Sequence, residues 1–150
     1  MLSISRLRKD LDASFVLDGS IALSWTFEDE SNQYAESVLD SLAEHRAIVT
    51  PIWRLEVSNA LIVGERRKRM TESRSTRWVE VLSALPIYVE LDDDDRICKD
   101  ILQTARFHGL TAYDASYLEL AIRRGLPIAT LDHDLKRAAI AAGIAAFGHE

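Results

Sequence analysis

The sequence predicts an α/β fold in which helices cover both faces of a mostly parallel sheet of about five strands. Short apolar runs typical of buried strands alternate along the chain with longer segments of helical periodicity. The chain has 150 residues, about the size of one domain. Its three prolines and six glycines are scattered, so we expect a single domain over residues 1–150. Residues 1–14 precede the first strand as an extension of unknown role.

The first third of the chain predicts a strand, two helices and a second strand. The apolar run 15–17 is typical of a buried strand, and Ser20 is placed to cap a short helix over 21–27. Apolar side chains at helical spacing predict a second helix over 34–43. A second strand is expected at 47–49.

The middle third predicts two helices and a third strand. Thr50 suits the N-cap, and the proline after it suits the first turn, of a long helix over 52–69. Thr71 is placed to cap a further helix up to residue 85. A proline then ends this helix before a strand over 87–91.

The last third predicts three helices and two strands. Four consecutive aspartates open a helix over 92–107, where negative charge is favourable at the positive end of the helix dipole. A helix over 111–124 is followed by a glycine suited to its C-terminal cap. A strand at 127–131, a helix at 135–142 and an edge strand at 144–147 complete the pattern.

Acidic residues outnumber basic residues in this chain. There are 24 Asp and Glu against 18 Lys and Arg, a formal net charge of −6, and the pI is near 5.2. A field of this sign repels phosphate, which excludes proteins that hold nucleic acid by bulk positive charge. Catalytic contact with nucleic acid would require cations close to the site.

Cysteine usage and hydropathy exclude several further classes. The single Cys98 can form neither an intrachain disulfide nor a zinc cluster, and we expect it to pack as a small apolar residue in a protein of the reducing cytoplasm. No run approaches the ~18 apolar residues of a membrane span. The N-terminal MLSISRLRKDLDA has no continuous apolar segment, so neither an anchor nor a signal peptide is expected.

Four acidic residues lie at or near the carboxyl ends of predicted strands, where parallel sheets bind ligands. Asp18 and Asp132 each follow a strand, Glu56 lies in the first turns of a helix, and Asp114 lies in LTAYDAS. Three of these acids could have a structural role instead. Asp18 could shape a turn, Asp132 could cap the last helix, and Asp114 stands three residues after Thr111 as in a capping box. Glu56 lies among apolar residues, where a carboxylate must be paired, protonated or coordinated.

Mutual repulsion predicts a cation at these acids if the sheet brings them together. Two unit charges ~4 Å apart repel by ~4 kcal/mol at an effective dielectric near ~20. Oxygen ligands without a required Cys or His favour Mg²⁺ or Mn²⁺ over zinc. Such ions are commonly held by a few carboxylates together with substrate phosphates, which indicates phosphoryl chemistry.

Four segments that contain these acids carry a family resemblance: VLDGSI, PIWRLEVSNAL, LTAYDASYLELA and ATLDHDL. Together they resemble the acidic motifs of PIN-domain proteins, most closely the VapC-type toxin ribonucleases. The resemblance spans residues 15–147 in the family's order, with Asn59 after Glu56 and Thr130 before Asp132. It implies a PIN-like three-layer αβα sandwich. The chain departs from the family in its N-terminal extension and in Gly19, where Thr, Ser or Ala is frequent.

The resemblance also implies the residues of a metal-dependent site. The implied catalytic residues and Mg²⁺ or Mn²⁺ ligands are Asp18, Glu56, Asp114 and Asp132. Asp134 is an alternative or water-mediated ligand beside Asp132. The residues expected to line the site are Ser20, Asn59 and Thr130.

The activity implied is an endoribonuclease in which a metal-activated water attacks a backbone phosphorus. The resemblance further implies the toxin half of a type II toxin–antitoxin pair, which forms a homodimer and is inhibited by a small antitoxin protein. One alternative is a Mg²⁺-dependent phosphatase, although LDGSI lacks the second acid of a D-x-D phosphatase loop. Another is an inert interaction module, which would have no reason to gather four repelling charges.

Other polar side chains have both a functional and a structural interpretation. His133 could act as a base or be a solvated loop residue, and Tyr117 could approach a nucleotide, although packing is the expected role. A basic run could contact RNA phosphates beside the cleft or form a solvated helix end favoured by the dipole. This run consists of Arg66, Arg67, Lys68 and Arg69.

Overall fold

The computed structural model describes residues 14–91 and 95–148 of the chain. Residues 1–13, which hold nearly all of the predicted N-terminal extension, lie outside the described part. So do residues 92–94, which hold the predicted start of the fifth helix.

The strands of the described part form one parallel sheet in the order β3-β2-β1-β4. Val16 in the centre of the sheet lies opposite Ile48 on one side and Ile128 on the other. The edge strand predicted at 144–147 is reduced to a parallel bridge between Ile128 and Ala146, because β4 offers it only two residues to pair with. The strands are β1 (Ser14–Leu17), β2 (Arg46–Val49), β3 (Ile87–Val89) and β4 (Ile128–Ala129).

Helices connect the strands as the periodicity predicts, and a 3₁₀ turn, Glu28–Glu30, follows the first of them. The hydroxyls of Thr71 and Thr111 each accept a backbone N–H at 3.2 Å, so these two predicted caps are confirmed. The N-cap position of the long helix after β2 is Ile52, so the cap predicted for Thr50 is wrong. Gly109 and Gly125 end their helices in the left-handed conformation. The helices are α1 (Gly19–Thr26), α2 (Gln33–Ser41), α3 (Trp53–Arg66), α4 (Glu72–Ala84), α5 (Arg96–His108), α6 (Ala112–Arg124) and α7 (His133–Ala141).

Helix α3 ends three residues before the predicted end. Lys68 adopts a left-handed conformation with φ of 59°. Its N–H donates to the carbonyl of Glu65 at 3.0 Å, and the N–H of Arg69 donates to the carbonyl of Gly64 at 2.8 Å. This pair of bonds is the Schellman arrangement, which closes a helix and turns the chain away from its axis.

The strand order places the helices in two layers around the sheet. The chain moves from β1 through β2 to β3 in one direction and then returns to the far side of β1 to form β4. Because parallel crossovers are right-handed, this reversal puts α1–α4 on one face and α5–α7 on the other. β1 is accordingly buried along its whole length. The carboxyl ends of β1 and β4 meet at the reversal, where α/β sheets bind ligands.

Helix α5 lies at the periphery and packs against α6. It contributes no fully buried side chain, and Cys98 on this helix is exposed. The expectation that Cys98 packs as a small apolar residue is therefore wrong, because its side chain lies on the exposed side of α5. Within the residues that the structure describes, no helix is long and apolar enough to cross a membrane.

Candidate active site

A hydrogen-bond network centred on Asp18 joins the carboxyl ends of β1 and β4. Oδ2 of Asp18 accepts hydrogen bonds from Ser20 Oγ and Thr130 Oγ1, both at 2.7 Å. Each hydroxyl also accepts a backbone N–H, from Leu131 to Ser20 at 2.9 Å and from Asp132 to Thr130 at 3.0 Å. The two hydroxyls therefore orient the Asp18 carboxylate and hold the loop after β4 against it.

The Asp18 carboxyl is only 4% exposed. Burial raises its pKa and the Asp132 charge raises it further, whereas the hydrogen bonds from Ser20, Thr130 and the Gly19 backbone lower it. The prediction that Ser20 caps α1 is wrong. Ser20 lies within the first turn of α1, Asp18 occupies the cap position, and the Ser20 hydroxyl donates a hydrogen bond to the Asp18 carboxylate.

Glu56 in the first turn of α3 faces the same network. A methyl group in place of the Gly19 hydrogen would lie 3.5 Å from Glu56 Oε2, so α1 and this carboxylate are in close proximity. The Tyr117 hydroxyl donates to Glu56 Oε1 at 2.8 Å. Burial raises the pKa of Glu56, as do the charges of Asp18 and Asp114, whereas the Tyr117 hydrogen bond lowers it.

The surroundings of Glu56 differ from the apolar environment that the sequence suggests. Trp53 and Val57 are buried, but Leu55 is 71% exposed and Glu56 itself is only partly buried. Leu55 was expected to form part of an apolar environment around Glu56. It does not, because its side chain lies on the solvent side of α3. Glu56 lies at the border between the core and solvent, where a carboxylate can reach a ligand.

Asp114 reaches the cluster from the first turn of α6. Burial, together with the charges of Asp132, Asp18 and Asp134, raises the pKa of Asp114 to about 6, although a hydrogen bond with Thr111 lowers it. These interactions place the four predicted acids in one electrostatic cluster. Repulsion within it disfavours full ionisation in the absence of a cation.

Helix capping and membership of the cluster coexist at two of these acids. The N–H of Asp114 donates to Thr111 Oγ1 at 3.2 Å, and Asp132 Oδ1 accepts the N–H of Leu135 at 2.9 Å. The cap predicted for Asp132 is confirmed, whereas the bond at Asp114 is the Thr111 cap, and a capping-box contact from the Asp114 carboxylate back to the Thr111 backbone stays a prediction. Capping fixes where each aspartate stands at its helix terminus, and so contributes to assembling the cluster.

Comparison with known proteins shows the family to which this fold belongs. A family model described as PIN domain matches residues 15–141, which include all four acids. The chain belongs to the PIN domain family. Ribonuclease VapC3 of Pyrobaculum aerophilum is 28% identical to it over 120 residues, which cover 80% of this chain and 90% of that protein.

Two solved structures are similar to this PIN domain in fold. The crystal structure of PAE2754 from Pyrobaculum aerophilum has a TM-score of 0.66 and 22% identity, covering 86% of this chain and 87% of that one. A toxin–antitoxin complex from Klebsiella pneumoniae has a TM-score of 0.55 and 18% identity, covering 79% of this chain and 86% of that one. The predicted PIN-like architecture is confirmed, with four strands and one bridge in place of about five strands.

Two further candidate residues of the PIN domain lie at the margin of the cluster. Asp134 is exposed and pairs with Arg137 at 3.3 Å, yet its charge contributes to the raised pKa of Asp114. Asn59 lies one helical turn beyond Glu56 and is exposed. The roles of Asp134 as a ligand and of Asn59 as a lining residue stay predictions.

The basic run lies at the far end of α3 and not beside the acids. Ten residues separate Glu56 from Arg66, which corresponds to about 15 Å along a helix. Arg69 hydrogen-bonds Asp29 at 3.1 Å and stacks over the Phe27 ring, 4.5 Å from its centroid. Contact of this run with RNA therefore stays a prediction.

Tyr117 is the residue of the site whose role the sequence did not indicate. Its side chain is fully buried, as its predicted packing role requires, but its hydroxyl also orients Glu56. Tyr117 stands three residues after Asp114, so both lie on the same side of α6. That spacing is the signal from which its role could have been proposed.

The donor set of this PIN domain fits a hard divalent cation. All of its ionisable donors are carboxylates, which Mg²⁺ and Mn²⁺ prefer, and a bound dication would offset the repulsion that raises their pKa values. Among residues 14–91 and 95–148, no three Asp, Glu, His or Cys side chains stand close enough to hold one ion. Ligation would therefore require the carboxylates to move together.

Proposed function

We propose that this PIN domain is a divalent-metal-dependent endoribonuclease and the toxin component of a type II toxin–antitoxin system. The observation that carries the proposal is the cluster of Asp18, Glu56, Asp114 and Asp132 at the reversal of strand order, with raised pKa values on three of them. Similarity to a protein named ribonuclease VapC3 supports RNA as the substrate.

The four acids would have different roles in such a site. Asp18 and Glu56 would hold Mg²⁺ or Mn²⁺, since Ser20 with Thr130 orients the first and Tyr117 the second. The ion, when bound, would acidify water and neutralise charge that develops on the phosphate. Asp114 and Asp132 would complete the ligand set or orient the attacking water.

The partners proposed for this protein are an RNA substrate, a second copy of the chain and a small antitoxin. Similarity in fold to a chain of a toxin–antitoxin complex from Klebsiella pneumoniae supports the antitoxin. An inhibitory partner also suits a nuclease whose uncontrolled activity would harm its own cell.

The nuclease activity is tested with purified protein and a labelled RNA that contains single-stranded loops. We expect cleavage with Mg²⁺ or Mn²⁺, none with EDTA, and a loss of at least about 100-fold in Asp18→Asn and Asp114→Asn, because each removes a ligand charge. Asp100→Asn, an exposed residue of α5, is the matched control and should cleave normally. Undiminished cleavage by both site variants would contradict the assignment. Hydrolysis of phosphomonoesters without RNA cleavage would favour the phosphatase alternative.

The toxin role is tested by expression. Induction of the wild-type chain should arrest growth, and Asp18→Asn should not. Co-expression of a short open reading frame next to the gene should restore growth and yield a complex that co-purifies with the chain. If the protein cleaves RNA in vitro but its induction leaves growth normal, the nuclease proposal stands and the toxin proposal is contradicted.

A further inference from the structure

A polar cavity of about 690 Å³ lies between the N-terminal parts of α2 and α7. Its volume is within the ~300–1,000 Å³ typical of small-molecule sites and suits a nucleotide. We call it the α2–α7 cavity. The lining side chains on which the argument rests are Asn32, Gln33, Ser37, Thr130, His133 and Lys136.

The α2–α7 cavity adjoins the carboxylate cluster through a shared wall residue. Thr130 lines the cavity and donates to Asp18 Oδ2 at 2.7 Å. Leu131 and His133, on either side of Asp132, also line it. A polymer whose reacting phosphate lies at the cluster would therefore place a neighbouring nucleotide in this cavity.

The charge of the cavity suits a phosphate group. Lys136 and His133 on α7 supply a cation and an ionisable ring close to the cluster. Glu30 also lines the cavity, but its carboxylate is paired with Arg69 at 3.4 Å. In a chain with a net charge of −6, a local cation of this kind is what contact with a polyanion requires.

A second cavity of about 240 Å³, which begins at Thr50 shortly before α3, suits a polyanion poorly. Its walls are largely apolar and include Ile97 and Ile101. Its one lining cation among the described residues, Arg123, is held by Glu119 at 2.8 Å and by Glu90 at 3.7 Å. Apolar walls and a cation that is already paired with two carboxylates offer a phosphate little, so the α2–α7 cavity is the favoured path.

We propose that the α2–α7 cavity binds the nucleotide next to the scissile phosphate of an RNA substrate, with Lys136 contacting its phosphate. The amides of Asn32 and Gln33 and the hydroxyl of Ser37 offer the donors and acceptors that base edges need. The assignment rests on the proposed nuclease function. It makes Lys136 a substrate-positioning residue and gives this cavity a part in base preference.

The first test is the salt dependence of RNA binding, measured in EDTA so that no cleavage occurs. We expect Lys136→Gln to weaken binding of a labelled single-stranded RNA by about 5- to 10-fold near 0.1 M salt, and to lower the slope of log K against log salt by about 0.7. Lys136→Arg should restore most of the binding affinity and most of the salt slope. Lys99→Gln, an exposed residue of α5, is the matched control and should bind like the wild type.

The second test fills the cavity without changing a charge. Ser37 is exposed at the cavity wall, and its hydroxyl donates only to the carbonyl of Tyr34 at 2.6 Å among the bonds of the described residues. Ser37→Phe should raise KM for RNA about 10-fold or more with kcat within about threefold, because the reacting carboxylates are untouched. Ser73→Phe on exposed α4 is the matched control.

The two proposals fail in distinguishable ways. A wild-type protein that cleaves RNA, together with unchanged binding by Lys136→Gln and unchanged KM in Ser37→Phe, would overturn the cavity assignment alone. A wild-type protein that cleaves no RNA with Mg²⁺ or Mn²⁺ would overturn the nuclease proposal on which the assignment rests.

Discussion

The hydroxyl of Tyr117, on α6, donates a hydrogen bond of 2.8 Å to Oε1 of Glu56, on α3. These helices lie on opposite faces of the sheet and meet above the carboxyl ends of its strands. The bond orients the acid that α3 contributes to the cluster. It ties the two helical layers together at the candidate site.

Tyr117→Phe should destabilise the fold and shift the pH dependence of RNA cleavage, because it removes a hydrogen bond to Glu56. Removing the buried donor leaves the carboxylate without a charge-assisted hydrogen bond, and should cost about 1–2 kcal/mol of the free energy of unfolding at neutral pH. Because that bond lowers the pKa of Glu56, its loss raises the pKa further. We expect the acid limb of the pH–rate profile for RNA cleavage to move to higher pH.

The matched control for this change is Tyr88→Phe, since Tyr88 on β3 is 53% exposed. It should leave both the free energy of unfolding and the acid limb unchanged within error. An acid limb at the same pH in Tyr117→Phe and the wild type would show that Glu56 ionisation does not govern activity.

Asp114→Asn should stabilise the metal-free protein at neutral pH while it abolishes activity. The pKa of Asp114 is raised from 3.8 to about 6 in the fold, so the folded state binds the proton more tightly than the unfolded state. That contribution to stability is complete below about pH 4 and is lost as pH rises through about 6. After a discount for solvent screening, the variant should exceed the wild type by about 1 kcal/mol at pH 7.

Urea unfolding in EDTA at pH 4 and pH 7 checks this prediction. The advantage of Asp114→Asn should largely vanish at pH 4, where the wild-type carboxyl is protonated in the folded state and about half protonated in the unfolded state. Asp100→Asn should show no such pH-dependent gain. An Asp114→Asn protein that is less stable than the wild type at pH 7 would mean that helix capping outweighs repulsion in the cluster.

Divalent metal should stabilise the wild-type fold through the cluster. A ligand at 100 times its Kd adds about 2.7 kcal/mol to the free energy of unfolding, so Mn²⁺ should raise the Tm and EDTA should reverse the rise. Asp18→Asn should lose most of this response, because Asp18 lies at the centre of the network. Equal Tm increases in Asp18→Asn and the wild type would place the metal elsewhere.

Gly64→Ala tests a packing contact that opposes helix propensity. Alanine is favoured over glycine in a helix by about 1 kcal/mol, but its Cβ at this position would lie 2.7 Å from Cε1 of Phe27. Phe27 is buried, so its ring has little room to shift, and overpacking costs about 1–3 kcal/mol. We expect a net loss of about 1 kcal/mol in denaturant unfolding.

Ser58→Ala, at an exposed position of the same helix, should instead change stability by a few tenths of a kcal/mol. Combining Gly64→Ala with Phe27→Leu should recover part of the loss, since the smaller side chain removes the clash. A Gly64→Ala protein more stable than the wild type would show that the ring moves freely.

Local chemistry made much of the fold predictable. The caps at Thr71 and Thr111 and the left-handed glycines at 109 and 125 depend only on neighbouring residues, and each is where the sequence places it. The early end of α3 has a local cause, the left-handed turn at Lys68. The prediction for Ser20 was wrong for a reason that lies outside its segment. Thr130 is 110 residues from Ser20, yet together they bind one carboxylate, and no local rule shows which acceptor a hydroxyl will meet.

The sequence by itself determined the alternation of strands and helices, the PIN-type order of acidic motifs and the identity of the four acids. These follow from periodicity, turn chemistry and residue type, which act over a few residues. Only the tertiary structure decided that the Tyr117 hydroxyl meets Glu56 and that a polar cavity with Lys136 adjoins Asp18. Such relations arise where the reversal of strand order brings distant segments together, and patterns within one segment do not show which distant group a side chain will meet.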